Sequence, residues 1–485
     1  MTDVSPKAKT QPAKEFFVEM LIRDIDLDDA LLDLLDNCVD GIVRQDEFDP
    51  RSDRPYEGYR ALLSLAPDHF AISDNCGGIP LDVAENSAFA MGRPNSTTKK
   101  ASSIGLYGIG MKRALFKLGY DARVNTRSVR EEGGDAPVAF SVHIERSWME
   151  SPDWTPFDID LDEDYSGGDK GTDIVVRDLR EEPRQQFGSS TFLTNLQKKI
   201  EHHYALIMAK GLEVRFDAPA ALDEVVTLTP PDDFFVLNSV EGHDEFDFEP
   251  IVYKGERDGV EFAVIAGMAR KVKTPDEIER EDESGDATRR ETPGGWTIVC
   301  NDRVVLWRDR SVATGWGTAG VPRFHNQFSS VAGIVVLRSA DPSKLPLTTT
   351  KRGIDMSSQL YIELLDYMRD ATKTLTSFTN RAKKPEVRDR VFENAQTVSF
   401  AELAESVAKL DEHANVRKVR NRETQRVHVE YPDPREDTGR RRVSYIATTD
   451  ELHLVGNFLN EEPDDTSVVG RRTFDEVLRR AEAEE

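Results

Sequence analysis

The sequence predicts a mixed α/β chain with two layered domains and a charged C-terminal region. Three observations carry that reading. A helical apolar period opens the chain, strand-like runs bounded by Gly-rich turns follow, and a second set of strand-like runs begins beyond the Pro-containing stretch APAALDEVVTLTPPDD. At 485 residues the chain exceeds what one ordinary core organises.

Taken in order, residues 1–14 are polar and are expected to be disordered. FFVEMLIRDIDLDDALLDLLDNCVDGIV then carries helical periodicity, with a break near Asp24–Asp28. HFAISDNCGGIP reads as a short strand entering a Gly-rich turn. AENSAFAMGRPNSTTKKASSIGLYGIGMKRALFKLG reads as helix, polar loop, Gly-rich loop and helix. DARVNTRSV, VAFSVHIER and GTDIVVRDL read as strands, and SSTFLTNLQKKIEHHYALIMAKG as one helix. Residues 15–215 are thus expected to form one α/β sandwich, its sheet mixed but mostly antiparallel, with helices on one face.

The second α/β domain is expected over residues 216–382. It contains GVEFAVIAGMARKV and GWTIVCNDRVVLW, separated by a charged stretch whose composition predicts a mobile excursion. AGIVVLRSA, the polar loop LPLTTTKRG and a long helix ending in SFTNRA complete it. Residues 383–485 are highly charged, with helix-like SFAELAESVAKLDEHA and TFDEVLRRAEAEE.

With 89 acidic against 63 basic residues, the average surface repels phosphate backbones, so any nucleic-acid contact must be local. The candidate is 417–442, where nine Arg and Lys residues meet five carboxylates; a solvated connector is the alternative. No apolar run approaches the ~18–20 residues of a bilayer span, and the first residues lack the apolar stretch of a secretion signal. Three cysteines, Cys38, Cys76 and Cys300, are too few for a disulfide framework, and a reducing cytoplasm is the expected address.

Four short pieces bear on chemistry. On the opening helix, with Asp33 taken as zero at 100° per residue, Asn37 falls at about +40°, Asp40 at about −20°, Asp36 at about −60° and Asp29 at about −40°. Leu31, Leu35, Cys38 and Ile42 occupy the opposite side. Like charges one turn apart oppose the helix, so either solvent or a cation relieves this stripe. Asn37 offers a neutral oxygen suited to a hard cation such as Mg²⁺, and Asp33 can accept a proton from a water.

Asp74, at the end of an apolar strand, can accept the exocyclic amine hydrogen of adenine, and Gly77 and Gly78 let backbone approach a flat ring. Gly105, Gly108 and Gly110 precede a helix start, where unpaired N–H groups hold an anion; the spacing is neither a P-loop nor a Rossmann fingerprint. Gly171 and Thr172 enter a strand, and the Thr172 hydroxyl can support an adenine-reading carboxylate.

In this order and spacing the four pieces resemble the GHKL superfamily, the ATP-binding fold shared by DNA gyrase, the large heat-shock chaperone, histidine kinases and MutL proteins. The resemblance covers residues 15–215. It implies a Bergerat-type ATP-binding sandwich followed by a transducer-like domain, with ATP and Mg²⁺ as ligands. Asn37 would hold the metal, with Asp40 beside it. Asp74 would read adenine with Gly78, Ile79 and Thr172 around it. Leu106, Tyr107, Ile109 and Met111 with the three glycines would wrap the phosphates, and Lys100 in the lid-like RPNSTTKKASS would reach them.

Asp33 stands where hydrolysing members usually carry Glu; one methylene shorter, it slows the water-activating step. Lys351, in LPLTTTKRGID, is the candidate γ-phosphate sensor from the second domain, with Arg352 or a plain surface turn as the alternatives. The second half is similar to the MORC group, which implies an ATPase that dimerises head to head on ATP and acts on DNA or in genome defence. A protein chaperone or signalling scaffold binding a protein client, or a nucleotide sensor with little hydrolysis, are the alternatives.

Overall fold

The computed structural model describes residues 13–90, 109–129, 136–231, 250–284, 293–348, 353–384, 447–459 and 466–484, with short pieces at 238–239, 388, 392, 396–397, 416–418 and 425–427. The chain is mixed α/β and divides into two compact units, residues 1–434 and 435–485.

Helices α1 (Lys14–Arg23) and α2 (Leu27–Val43) open the first unit, and the break between them falls where the sequence predicts it. Strands β1 (Arg60–Ala66) and β2 (His69–Asp74) form a hairpin, followed by a single turn, α3 (Leu81–Val83). Then come α4 (Gly110–Leu118), β3 (Gly119–Val129), β4 (Pro137–Ile144), α5 (Arg146–Glu150), β5 (Ile159–Leu161), β6 (Gly171–Leu179) and α6 (Glu181–Phe187). Helices α7 (Ser190–His203) and α8 (Ala205–Ala209) lead into β7 (Glu213–Asp217) and β8 (Val226–Thr227).

The first sheet runs β5-β4-β3-β6-β2-β1-β7-β8, antiparallel except where β1 meets β7. The domain boundary expected after residue 215 falls inside β7, and the sheet takes in the chain as far as Thr227. Leu31, Leu35, Cys38 and Ile42 of α2 are buried in one core with Ala61, Leu63 and Leu65, the alternate residues of β1.

The stretch 189–211, expected as one helix, is two. It breaks at Tyr204, which leaves helical geometry (φ −106°, ψ 10°) while its hydroxyl bonds back to α2.

After β9 (Asn238–Ser239), the second sheet is built from β10 (Ile251–Arg257), β11 (Val260–Met268), β12 (Gly295–Cys300), β13 (Arg303–Asp309) and β14 (Val331–Arg338). Helix α9 (Pro275–Ser284) occupies part of the expected excursion, and Thr274 and Glu277 cap it reciprocally. Helix α10 (Gln359–Ala382) packs on β11 and β14.

Of the remaining strands, β15 (Gln396–Thr397) pairs with β9, while β16 (Val416–Lys418) and β17 (Gln425–Val427) extend the second sheet from β10. The order is β13-β12-β14-β11-β10-β17-β16, so part of the basic 417–442 stretch is sheet edge. The segment GWTIVCNDRVVLW is a hairpin, because Asn301 and Asp302 both take positive φ (46° and 66°), the pair of values a tight two-residue turn requires.

The second unit pairs α11 (Thr449–Leu459) with α12 (Thr466–Glu484), and Gly456 and Val469 are buried in it. Thr448 and Glu451 close a capping box at its start. The helix expected at 399–414 lies outside the described residues. Among the described residues no helix is long and apolar enough to cross a membrane.

Candidate functional site

The site is built on α2, which sits unusually close to the turn after β2. A Cβ on Gly41 would lie 2.4 Å from the Cys76 carbonyl oxygen, so only glycine permits this approach. Gln45 secures the contact, donating Nε2 to the Gly41 carbonyl (2.8 Å) and the Cys76 carbonyl (3.4 Å). Gly78 takes φ +71° with the Arg127 carbonyl 2.1 Å from where a Cβ would stand. Its glycine requirement is met by packing on β3, whereas the sequence reading assigned it to approach of a ring. Ile79 is held by main chain, its N–H donating to Thr126 Oγ1 (2.7 Å) and its carbonyl accepting from Ser128 Oγ (2.9 Å).

Asp74 is locked into this frame. Its Oδ1 accepts from the Cys76 N–H (2.8 Å) and the Thr172 N–H (3.3 Å), and its Oδ2 accepts from the Cys38 thiol (3.3 Å). Thr172 therefore supports Asp74 through its main-chain N–H. Burial pushes the Asp74 carboxyl above its ordinary range, and the N–H and thiol donors only partly oppose it. Cys76 is buried beside Cys38. Its thiol and burial push the Cys38 thiol well up, so Cys38 is a neutral donor to Asp74.

The acidic stripe of α2 is not a solvated face. Asp33, Asp36 and Asp40 are all buried. Asp28 and Asp29 hold Lys199, Asp36 meets Tyr204 and Arg303, and Asp33 Oδ2 accepts from Arg113 Nη2 at 2.6 Å. Arg113 belongs to α4, whose first residue, Gly110, packs directly on Asp33, 3.3 Å from its Oδ2 to a Cβ position.

Between these contacts stands half-buried Asn37. Its Nδ2 is buried with no hydrogen-bond partner among the described residues, and the same holds for Arg113 Nε. Helix α4 begins at Ile109–Gly110, and its N-cap residue Ile109 makes no side-chain cap hydrogen bond. Met111 packs against the first core.

The structure thus places Asp33, Asn37 and Asp40 on α2, sets Gly110 against Asp33, joins Asp74 to Cys38 of α2 and to the Thr172 N–H, and brings the Gly78 carbonyl to Arg44 at the end of α2, whereas Ile79 bonds to β3 and Met111 packs on the core. Lys100, Gly105, Leu106, Tyr107, Gly108 and Lys351 lie outside the described residues. Arg113, which the sequence reading missed, is signalled only by its place three residues past Gly110, one helical turn into α4. Comparison with protein-family models and with curated proteins finds no match to this chain.

Proposed function

We propose that this chain is a magnesium-dependent ATP-binding protein with a Bergerat-type nucleotide fold, and a slow ATPase whose lid closure gates head-to-head dimerisation. The observation that carries the reading is the pair of buried donors without a partner among the described residues, Asn37 Nδ2 and Arg113 Nε, the latter in the first turns of α4. Unpaired buried donors cost about 1–3 kcal/mol each, and a polyphosphate supplies the missing acceptors.

The residues present fit both ligands. The Asn37 amide has bonding capacity left and its oxygen is the hard donor that Mg²⁺ takes. When bound, Mg²⁺ neutralises phosphate charge. Asp74 keeps a free lone-pair direction on Oδ2 beyond the Cys38 thiol, as recognition of an adenine amine needs. Asp33 orients the water, and Arg113 holds its carboxylate in place.

Asn37→Ala removes magnesium-dependent ATP binding in calorimetry while leaving the thermal midpoint within a few degrees. ATP affinity equal to wild type would overturn the assignment. A second reading, a nucleotide sensor with little hydrolysis, is favoured by the same Asp33–Arg113 contact, since it occupies one oxygen of the base. Asp33→Glu separates the two: faster phosphate release identifies a short base, and no release from either protein identifies a sensor.

A further inference from the structure

The β12–β13 hairpin of the second sheet reaches α2 at the residue next to Asn37. Arg303 Nε donates to Asp36 Oδ1 at 2.5 Å, with side-chain exposures of 2% and 0%. Tyr204 donates its hydroxyl to the same oxygen (2.6 Å) and lies near the Leu32 carbonyl (2.9 Å), with the guanidinium 5.1 Å from its ring centre. Burial opposes the charge on Arg303, and Asp36 with Tyr204 more than offsets that, so its pKa is held above the usual arginine range.

The rest of the hairpin is clasped as well. Asp302, at the turn, takes Lys210 (2.7 Å) and the Tyr56 hydroxyl (3.2 Å), His203 Nδ1 meets the Val304 carbonyl (2.6 Å), and His202 stacks on Trp307 at 4.6 Å. Leu206 of α8 joins Val252, Ile265, Val299 and Ile334 of the second sheet in one apolar cluster.

A buried ion pair contributes little net stability relative to a well-packed apolar pair, because desolvation consumes the Coulombic gain. What Asp36–Arg303 does supply is directionality. Two short hydrogen bonds converge on Asp36 Oδ1, from Tyr204 and from Arg303; the Arg303 bond fixes the rotation and axial position of α2 against the hairpin, and a shift of about 1 Å in either element breaks it. Close-packed interiors do not absorb such a shift continuously. Asn37 and Asp36 are adjacent on the helix, so whatever turns Asn37 turns Asp36.

We propose that Arg303 is a positioning residue: through Asp36 it sets the orientation of Asn37 and makes α2 and the β12–β13 hairpin move as one element, so that ligand occupancy at α2 is felt in the second sheet. The ligand part rests on the nucleotide reading above; the mechanical part does not.

The test is native-state hydrogen exchange on the full chain, comparing wild type with Asp36→Leu/Arg303→Met, which substitutes apolar groups and keeps the site filled. Without ligand, α2 and β12–β13 amides of wild type open together, with the same denaturant dependence, and in the double variant α2 opens separately and about tenfold more readily. With MgATP, wild type slows exchange in both elements, and the double variant slows it in α2 alone and binds about tenfold more weakly.

Joint opening retained in the double variant overturns the proposal. Should wild type show no heat with MgATP, the nucleotide reading falls and the ligand-free arm still decides the coupling. Arg303→Lys guards against misfolding of the double variant. It keeps the charge with one donor direction and restores joint opening; a purely packing role would leave Lys no better than Met.

Discussion

Arg113→Met destabilises the chain by about 3–5 kcal/mol, because it leaves the Asp33 carboxylate buried without its 2.6 Å guanidinium while preserving most of the stem packing. The effect is read as a drop in denaturation midpoint at constant m-value. Asp33→Asn in the same background recovers most of the loss, since a neutral amide needs no counter-charge. This non-additivity is the signature of a direct pair. If the double variant is as unstable as the single, the carboxylate does not depend on Arg113 and its position owes more to Gly110 and the main chain. The pair also explains why an aspartate can stand at this point of α2. A shorter side chain leaves room for a guanidinium beside it, and the Asp33 side chain is 3% exposed with Arg113 Nη2 at 2.6 Å.

Much of the architecture was legible from local pattern. The α1–α2 break and strand 171–179 follow from runs of a few residues, and Asp74 ends its strand as its apolar lead-in requires. RALLSLA carries a strand signal in the alternation of Ala61, Leu63 and Leu65, and Asn301-Asp302 between apolar runs is a readable hairpin signal. The partners of the α2 carboxylates were not legible. Asp33 meets a residue 80 positions away, and Asp36 meets residues 168 and 267 away. A helical wheel orders side chains around one axis and carries no information on what that axis is packed against. It therefore presented as one stripe four acids that tertiary structure sends to Lys199, Arg113, Tyr204 with Arg303, and a buried position at Asp40. Asn37 Nδ2 keeps unused bonding capacity among the described residues.

Asp74→Asn separates recognition from folding. In the variant, the side-chain oxygen stays with the Cys76 and Thr172 N–H groups, which fixes the amide nitrogen toward Cys38 and the space beyond. A donor then replaces the acceptor an adenine amine requires, and ATP affinity falls about 10–100-fold, the worth of one hydrogen bond to a charged group. Preference for ATP over GTP is lost with it, and retained preference in competition calorimetry would remove Asp74 from the site. Stability moves the other way. Burial raises the Asp74 carboxyl above its ordinary value of 3.8, so folding favours the protonated form. That contribution is fully present below the unfolded value and is lost as pH rises through the higher folded one, so at pH 7 the wild type bears the whole cost of a buried carboxylate. The asparagine variant does not titrate. Its denaturation midpoint therefore exceeds that of wild type at pH 7, and the difference closes as the pH is lowered toward the unfolded value. A variant that lost affinity and stability together at pH 7 would mean that Asp74 serves the turn and not a ligand.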